Sequence, residues 1–342
     1  MTATAILVIG LALGLDLVVG EPRTALHPVA WFGRLVALVD REWTLEPATE
    51  RWLGVGVALM LPLLPAAVAG GFVLLAAEQN PLAGAIVAAL VLATAMSLRM
   101  LLDLSQEVIE ATAANLETAR ERVRGLAGRD TTTLTDEAVR SAAIESAAEN
   151  LADGFASTLL PFALLAPISL PAAATVAAWV KGVNTLDSML GYPEKPIGTA
   201  SARLDDAVMY LPARATALCL ALASRRPRTL AQARQWARVP TSPNSGWPMA
   251  TLACGLDVRL EKPDVYVLCP DASPPTLADG RRAVSVVGLA AVWLVGLAVL
   301  FAAVVPAVAW AVGSWIDTLA TVWPGQLEGG VLAQAPESEG VR

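Results

Sequence analysis

The sequence predicts an all-α, polytopic integral membrane protein with helical cytoplasmic segments and a re-entrant or interfacial helical region. Three observations carry this. The 342 residues are 55% hydrophobic and 16% charged, with a mean hydropathy of +0.56, a composition few water-soluble domains share. Apolar runs recur near 5–19, 53–77, 82–104 and 283–312. The last three are long enough to cross roughly 30 Å of hydrocarbon as helices. No stretch alternates apolar and polar residues as a half-buried strand would, and no internal repeat is visible.

Each element follows from local residues. Ala5–Val19 is short, and Asp16 interrupts it near its end. It lacks a basic leader and a cleavage site, so it does not read as a signal peptide. Leu53–Ala77 and Leu82–Leu104 form a helical hairpin whose outer turn is AEQNP. Residues 105–124 read as a surface helix stopped by Gly125 and Gly128. Thr135 is placed to N-cap the next helix, with Asp136 and Glu137 in a first turn that favours carboxylates. That helix is expected to stop at Gly154. Phe155–Lys181 is apolar but divided by Pro161, Pro167 and Pro171. Its halves, of about a dozen residues each, suit a re-entrant hairpin. Alternatively 155–181 crosses the membrane and Ala207–Ser224 returns. Residues 225–282 form the largest polar excursion, and 313–342 read as a disordered tail after one membrane domain spanning 1–312.

Charge sets an orientation. Residues 21–52 hold four Lys or Arg, 105–153 hold five and 182–282 hold twelve. The positive-inside rule places these segments in the cytoplasm and the C-terminal tail outside a multi-pass protein of the cell membrane. Both 105–153 and 182–282 lie inside only if 155–181 turns back, which favours the re-entrant reading. Net charge is −7 and the pI about 4.9, which excludes a nucleic-acid-binding role that needs a basic face. Cys219, Cys254 and Cys269 are odd in number and lack CxxC spacing, so neither a zinc site nor a disulfide framework is expected.

Five segments carry candidate chemistry. In GEPRTALHPV, His27 is the only histidine, a candidate base in a Pro-stiffened loop or simply a helix cap. Glu145, Glu149 and Asp153 recur at spacings of four, with Asn150 beside them. No basic residue stands at i±3 or i±4 to either glutamate, so the stripe is a candidate Mg²⁺ site, or else a solvated face. Lys181–Arg214 is dense in polar groups directly after an apolar run, and charge beside hydrocarbon reads by default as a working site. It holds Lys181, Asn184, Asp187 and Ser188 at helical spacing, then Arg203, Asp205, Asp206 and Arg214. Internal Arg–Asp pairing is the structural alternative. The loop GRDTTTL offers Arg129, Asp130 and Thr131 before a helix N-terminus as a phosphate cradle, though no Walker A sequence is present. SPNSGWP, with Asn244, reads on its own as a tight turn.

Taken together and in this order, these stretches resemble the CobD/CbiB family, adenosylcobinamide-phosphate synthase of cobalamin biosynthesis. The resemblance rests on GEPRTALHPV, GRDTTTL with ESAAENLADG, NTLDSMLGY, SARLDDAVMYLPAR and SPNSGWP, and covers roughly Leu13–Leu260. Departures are Glu21 for the usual Asp, Met209 where an Asn often stands, and Ile197 where an aromatic residue precedes Gly198. The resemblance implies an ATP-dependent, Mg²⁺-assisted ligase without a tightly bound cofactor. Its substrates would be the corrinoid adenosylcobyric acid, through a propionate carboxylate, and (R)-1-amino-2-propanol O-phosphate or a related amino-alcohol. It implies the lipid bilayer and other membrane-associated late cobamide-pathway enzymes as partners. On this reading His27, Glu145, Glu149, Asp187 and Asp206 are catalytic, and Asp153, Asp187, Asp205 and Asp206 hold Mg²⁺. Arg129, Asp130, Thr131, Asn150, Lys181, Asn184, Ser188, Arg203, Arg214 and Asn244 bind substrate or phosphate. A non-catalytic membrane regulator related to AmpE shares the family likeness, and a transporter is a further alternative because fold likeness alone does not establish catalysis.

Overall fold

A computed structural model describes residues 2–127, 131–226 and 228–322. The chain opens with α1 (Thr2–Val18) and α2 (Pro28–Ala37), then α3 (Pro47–Met60) and α4 (Leu63–Gln79), α5 (Pro81–Ala95) and α6 (Leu98–Ala114). The short α7 (Leu116–Val123) precedes α8 (Asp136–Asn150), which continues through a π-helical turn at Leu151–Ala156 into α9 (Ser157–Leu165). Next come α10 (Leu170–Leu190), a 3₁₀ turn at Pro196–Gly198, α11 (Thr199–Val208) and α12 (Tyr210–Ala223). The chain continues through α13 (Thr229–Ala233), α14 (Gly246–Leu256), a hairpin of β1 (Leu260–Lys262) and β2 (Tyr266–Leu268), and α15 (Leu277–Val322).

Among the described residues the fold is all-α apart from that hairpin, in which Leu260 pairs with Leu268 and Lys262 with Tyr266. Three-residue strands are too short to show an alternating pattern, which is why the sequence did not announce them. Among the described residues, three helical stretches are long and apolar enough to cross a membrane: Pro47–Gln79, Pro81–Ala114 and Leu277–Val308. At 17 residues α1 is apolar but shorter, and it packs against α5. The pair α11–α12 is bent by 47°, and its first arm carries Arg203, Asp205 and Asp206.

Several boundaries differ from expectation. The helix from Asp136 does not stop at Gly154. Gly154 lies inside the π turn, and the chain runs on to Leu165. The predicted surface helix is two helices, because Asn115 leaves helical geometry and caps α7, accepting from the N–H groups of Glu117 and Thr118. Residues 313–322 extend α15 rather than beginning the tail, and 323–342 lie outside the described residues. Thr135 does cap α8, its Oγ1 accepting from Ala138 N at 3.2 Å. The Pro-divided apolar segment forms a helical hairpin, α9 against α10, whose second helix is capped by Ser169.

Packing among these helices relies on small residues. α4 meets α10 at Gly70, where an added Cβ would lie 2.0 Å from Thr175 Oγ1. Short side chains let helix backbones approach closely, which drives association where lipid supplies no hydrophobic gradient. The same logic acts at Gly54, where an added Cβ would lie 2.1 Å from Ile197 O. Cys269, the residue after β2, meets Cys254 of α14, both free thiols, whose Sγ atoms are 2.9 Å apart.

Candidate functional site

The site is built where four separate segments meet, beginning with the loop after α1. Arg99 at the start of α6 fixes this loop. Its N–H donates to Asp16 Oδ2 at 3.1 Å and its Nη1 to Val18 O at 2.9 Å. Gly20 turns the chain beneath the guanidinium at φ +78, a conformation that favours glycine. Glu21 follows directly, half-buried. Burial pushes its carboxyl upward in pKa, and the Lys181 ammonium opposes the shift. His27 closes the loop as N-cap of α2, its Nδ1 accepting from Val29 N at 3.2 Å.

That cap sets the tautomer. An imidazole nitrogen that accepts cannot carry the proton, so neutral His27 bears it on Nε2. Nε2 is buried without a hydrogen-bond partner and lies 3.8 Å from Glu21 Oε2. Burial, then the neighbouring Lys181, lower the His27 pKa. The ring is therefore a neutral donor facing Glu21.

The π turn supplies Asp153. A π turn adds a residue to a helical turn and is common at functional sites. Here Ser157 Oγ donates to Asp153 O at 2.6 Å. Burial, then the carboxylates of Glu149, Asp205 and Asp187, hold the Asp153 carboxyl well above its ordinary pKa, against the opposing charge of Lys181. Asp153 and Lys181 keep partial exposure while protein crowds them.

α10 and α11 complete the group. Asn184 and Asp187 lie one turn apart near the end of α10. Asp205 and Asp206 sit on α11, which packs against it. Burial, with the charge of Asp206, raises the Asp187 pKa to about 6. Burial and then Asp187 raise that of Asp205 to about 7, while the side chain of Asn184 hydrogen-bonds to it and opposes the shift. Oδ1 of both aspartates is buried without a hydrogen-bond partner.

SPNSGWP joins the group from the side. Asn244 Nδ2 donates to Asp206 O at 2.7 Å and Ser242 Oγ to Asp206 Oδ1 at 3.4 Å. Arg214 donates to Asn244 Oδ1 and to Pro243 O, and its guanidinium stacks 3.8 Å from the Tyr210 ring and 5.4 Å from Trp247. The turn that looked ordinary in the sequence thus ties Arg214 to Asp206. Lys181 also borders an apolar cavity of about 390 Å³ between α2, α4, α5 and α10, lined by Trp31, Phe32 and Phe72 among others.

The predicted residues therefore fall into groups. Glu149, Asp153, Lys181, Asn184, Asp187, Asp205 and Asp206 interact electrostatically, with His27 reached through Lys181. Arg214 and Asn244 adjoin Asp206. Glu145 is fully buried one turn before Glu149, accepting from Ser141 Oγ at 2.9 Å and from Tyr266 Oη at 3.0 Å under the hairpin. Asn150 donates back to Ser146 O in its own helix, and Ser188 to Asn184 O. Thr131 is buried, donating to Arg120 O and accepting from Arg124 Nε. Its neighbours Arg129 and Asp130 lie outside the described residues. The adjoining Thr133 and Thr135 line a cavity of about 510 Å³ with Ser141, Arg259 and Lys262. Ser141 and Glu149 are eight residues apart, or about 12 Å along a helix. Arg203 is exposed in a different groove, beside Arg51 and Trp52. Glu21 is the functional group the residue pattern missed, because nothing in its local spacing shows that Lys181 lies beside it.

The donor set suits a hard divalent cation. Carboxylate oxygens are the preferred ligands of Mg²⁺, which commonly takes one or two of them plus phosphate oxygens. Asp187 and Asp205 offer buried oxygens free of other bonds. No three His, Cys, Asp or Glu side chains among the described residues are grouped to hold a metal by themselves.

Comparison with known proteins agrees with the motifs. The CobD/Cbib protein family matches residues 9–288. A "Probable cobalamin biosynthesis protein CobD" of Methanothrix thermoacetophila is 33% identical over 298 residues, covering 82% of this chain and 92% of the relative. A protein of the same description from Methanothermobacter thermautotrophicus is 37% identical over 276 residues, 75% of this chain and 84% of its own. The "Cobalamin biosynthesis protein CobD" of Rhodobacter capsulatus is 36% identical over 311 residues, 82% and 96% respectively. No solved structure matches the chain.

Proposed function

Because this chain belongs to the CobD/CbiB family of cobalamin biosynthesis proteins, we propose that its carboxylates around Lys181 line a recess that joins an amino-alcohol phosphate to a propionate carboxylate of adenosylcobyric acid. The observation that carries the reading is the meeting of Lys181, His27 and Arg214–Asn244 with Asp153, Asp187, Asp205 and Asp206 at one place. Anionic substrates need the cations, and a phosphate-bound Mg²⁺ needs the carboxylates.

A carboxylate is a poor electrophile, so ATP activates it. The propionate oxygen takes the terminal phosphoryl group, giving an acyl phosphate and ADP. The amine then attacks the acyl carbon, phosphate leaves and the amide forms. Lys181 and Arg214 offset charge on the phosphoryl oxygens. His27, proton on Nε2, orients the carboxylate as a donor and is poorly placed to be the base. The ammonium proton must go elsewhere, and Asp206, which the metal would leave free and whose Oδ1 accepts from Ser242 Oγ, is the carboxylate of the group placed to take it. Asp187 and Asp205 would hold Mg²⁺, which when bound neutralises phosphate charge.

The charge distribution supports a cytoplasmic recess in a multi-pass membrane protein with its C-terminal tail outside. In the test, detergent-purified protein is incubated with adenosylcobyric acid, Mg·ATP and, in turn, aminopropanol, ethanolamine and their phosphates. The corrinoid mass is followed. A mass increase equal to the amine less water is expected with at least one of them. No increase with any amine from monodisperse protein would remove the ligase reading and leave the regulator.

A further inference from the structure

We propose that Arg51, Trp52 and Arg203 form a second site, apart from the recess, that binds the phosphate of an anionic phospholipid headgroup. The argument begins with packing. The first turns of α3 dock on the 3₁₀ turn at Pro196–Gly198. Glu50 Oε1 accepts from Ile197 N at 3.2 Å, and Gly54 allows the helix backbone to touch Ile197. This sets the N-terminal turns of α3 and α11 side by side. Between them lies a groove of about 680 Å³ lined by Ala48, Arg51, Trp52, Val55, Thr199 and Arg203.

Two guanidiniums in this groove have no ion-pair or hydrogen-bond partner among the described residues. The adjacent acid, Glu50, is committed to Ile197 N. Two like charges across one groove repel, and an anion between them removes that cost. The guanidinium fork matches two phosphate oxygens at once.

Position selects the source of the phosphate. Arg51 and Trp52 lie in the opening turns of the Pro47–Gln79 span, and the Trp52 side chain is 76% exposed. Indole rings at span ends sit at headgroup level, and basic juxtamembrane pockets attract anionic lipids. Val55 and Ala48 give the groove an apolar side that a glycerol backbone and upper acyl chain would cover. A soluble phosphate would leave that side wet.

The test is native mass spectrometry of purified protein supplied with equal amounts of phosphatidylglycerol and phosphatidylcholine. Wild type should retain phosphatidylglycerol in preference, on the order of tenfold, given two juxtamembrane cations. Arg51→Gln with Arg203→Gln should abolish the preference, and the double Lys variant should keep part of it. Each variant is first checked for a monodisperse peak on size exclusion. If the double Gln variant fails that check, Arg203→Gln alone carries the comparison. Soluble glycerol phosphate at millimolar concentration should not displace the lipid. Unchanged preference in the Gln variants would overturn the proposal. Displacement by glycerol phosphate would overturn the lipid source and leave a soluble phosphate ligand in its place.

Discussion

Replacing Asp205 by Asn should make the protein more stable and less active at once. The magnitude follows from the carboxyl's surroundings. Burial and the charge of Asp187 move its pKa from 3.8 to about 7. The folded state thus holds a proton that the unfolded chain releases near pH 4. Stability falls as pH rises through that window and levels off above about pH 7, because the folded state then carries a buried charge. Each pKa unit is worth about 1.36 kcal/mol, so the ceiling is about 4 kcal/mol. Asp187 and Asp206 titrate with it and share the penalty, which brings the expected gain from Asn to about 2 kcal/mol at about pH 8. At about pH 4 wild type and variant should match, since both are then neutral at this position. An Asn carbonyl can still accept from Asn184, so the packing is preserved. Thermal unfolding in detergent should show a midpoint at least ~4 °C higher for the variant at the alkaline pH, with no difference at the acidic one. A variant that is less stable at alkaline pH, or two proteins with parallel pH profiles, would refute the idea that Asp205 is a destabilising charge kept for function.

Other perturbations separate chemistry from scaffold. Asp187→Asn or Asp206→Asn should abolish amide formation while membrane insertion, followed by fractionation, stays intact; retained turnover in both would exclude them from the chemistry. His27→Asn should keep the cap of α2, since Asn is a strong N-cap residue, with stability within about 0.5 kcal/mol of wild type. It should lose about a hundredfold in kcat/KM because the donor no longer reaches the substrate. If the cap were the only role of His27, activity would survive. Gly54→Ala should cost roughly 1–3 kcal/mol by forcing α3 away from Ile197, measured as a lower unfolding midpoint.

Much of this was legible in the residues because the physics is local. Apolar runs announce spans through length alone, and Thr135 announces a cap through its hydroxyl and the acids behind it. Asp153, Asp187, Asp205 and Asp206 stood out because carboxylates beside hydrocarbon are costly. What could not be read depends on contacts between distant segments. Glu21 gains meaning only when α10 brings Lys181 to it. Arg203 shares a helix with Asp205, yet it stands about 200° round the helix from it and lines the groove against α3. Glu145 continues the spacing of Glu149 but is covered by Tyr266, which lies in a hairpin too short to announce itself. Asn115 breaks a helix by capping the next one, a choice its composition did not advertise.

The π turn at Leu151–Ala156 has a genetic consequence. Removing one residue from it, such as Ala152, would let the segment relax into a regular α-helix. Because the extra residue is taken up within that one turn, α9 would keep its phase relative to α8, and the change would fall on the turn itself. Asp153 would stand three residues from Glu149 instead of four, while hydropathy, charge count and span lengths would hardly change. A single in-frame codon loss here would therefore look harmless in a sequence comparison, leave the packing of α9 in place, and still move one carboxylate of the acidic group.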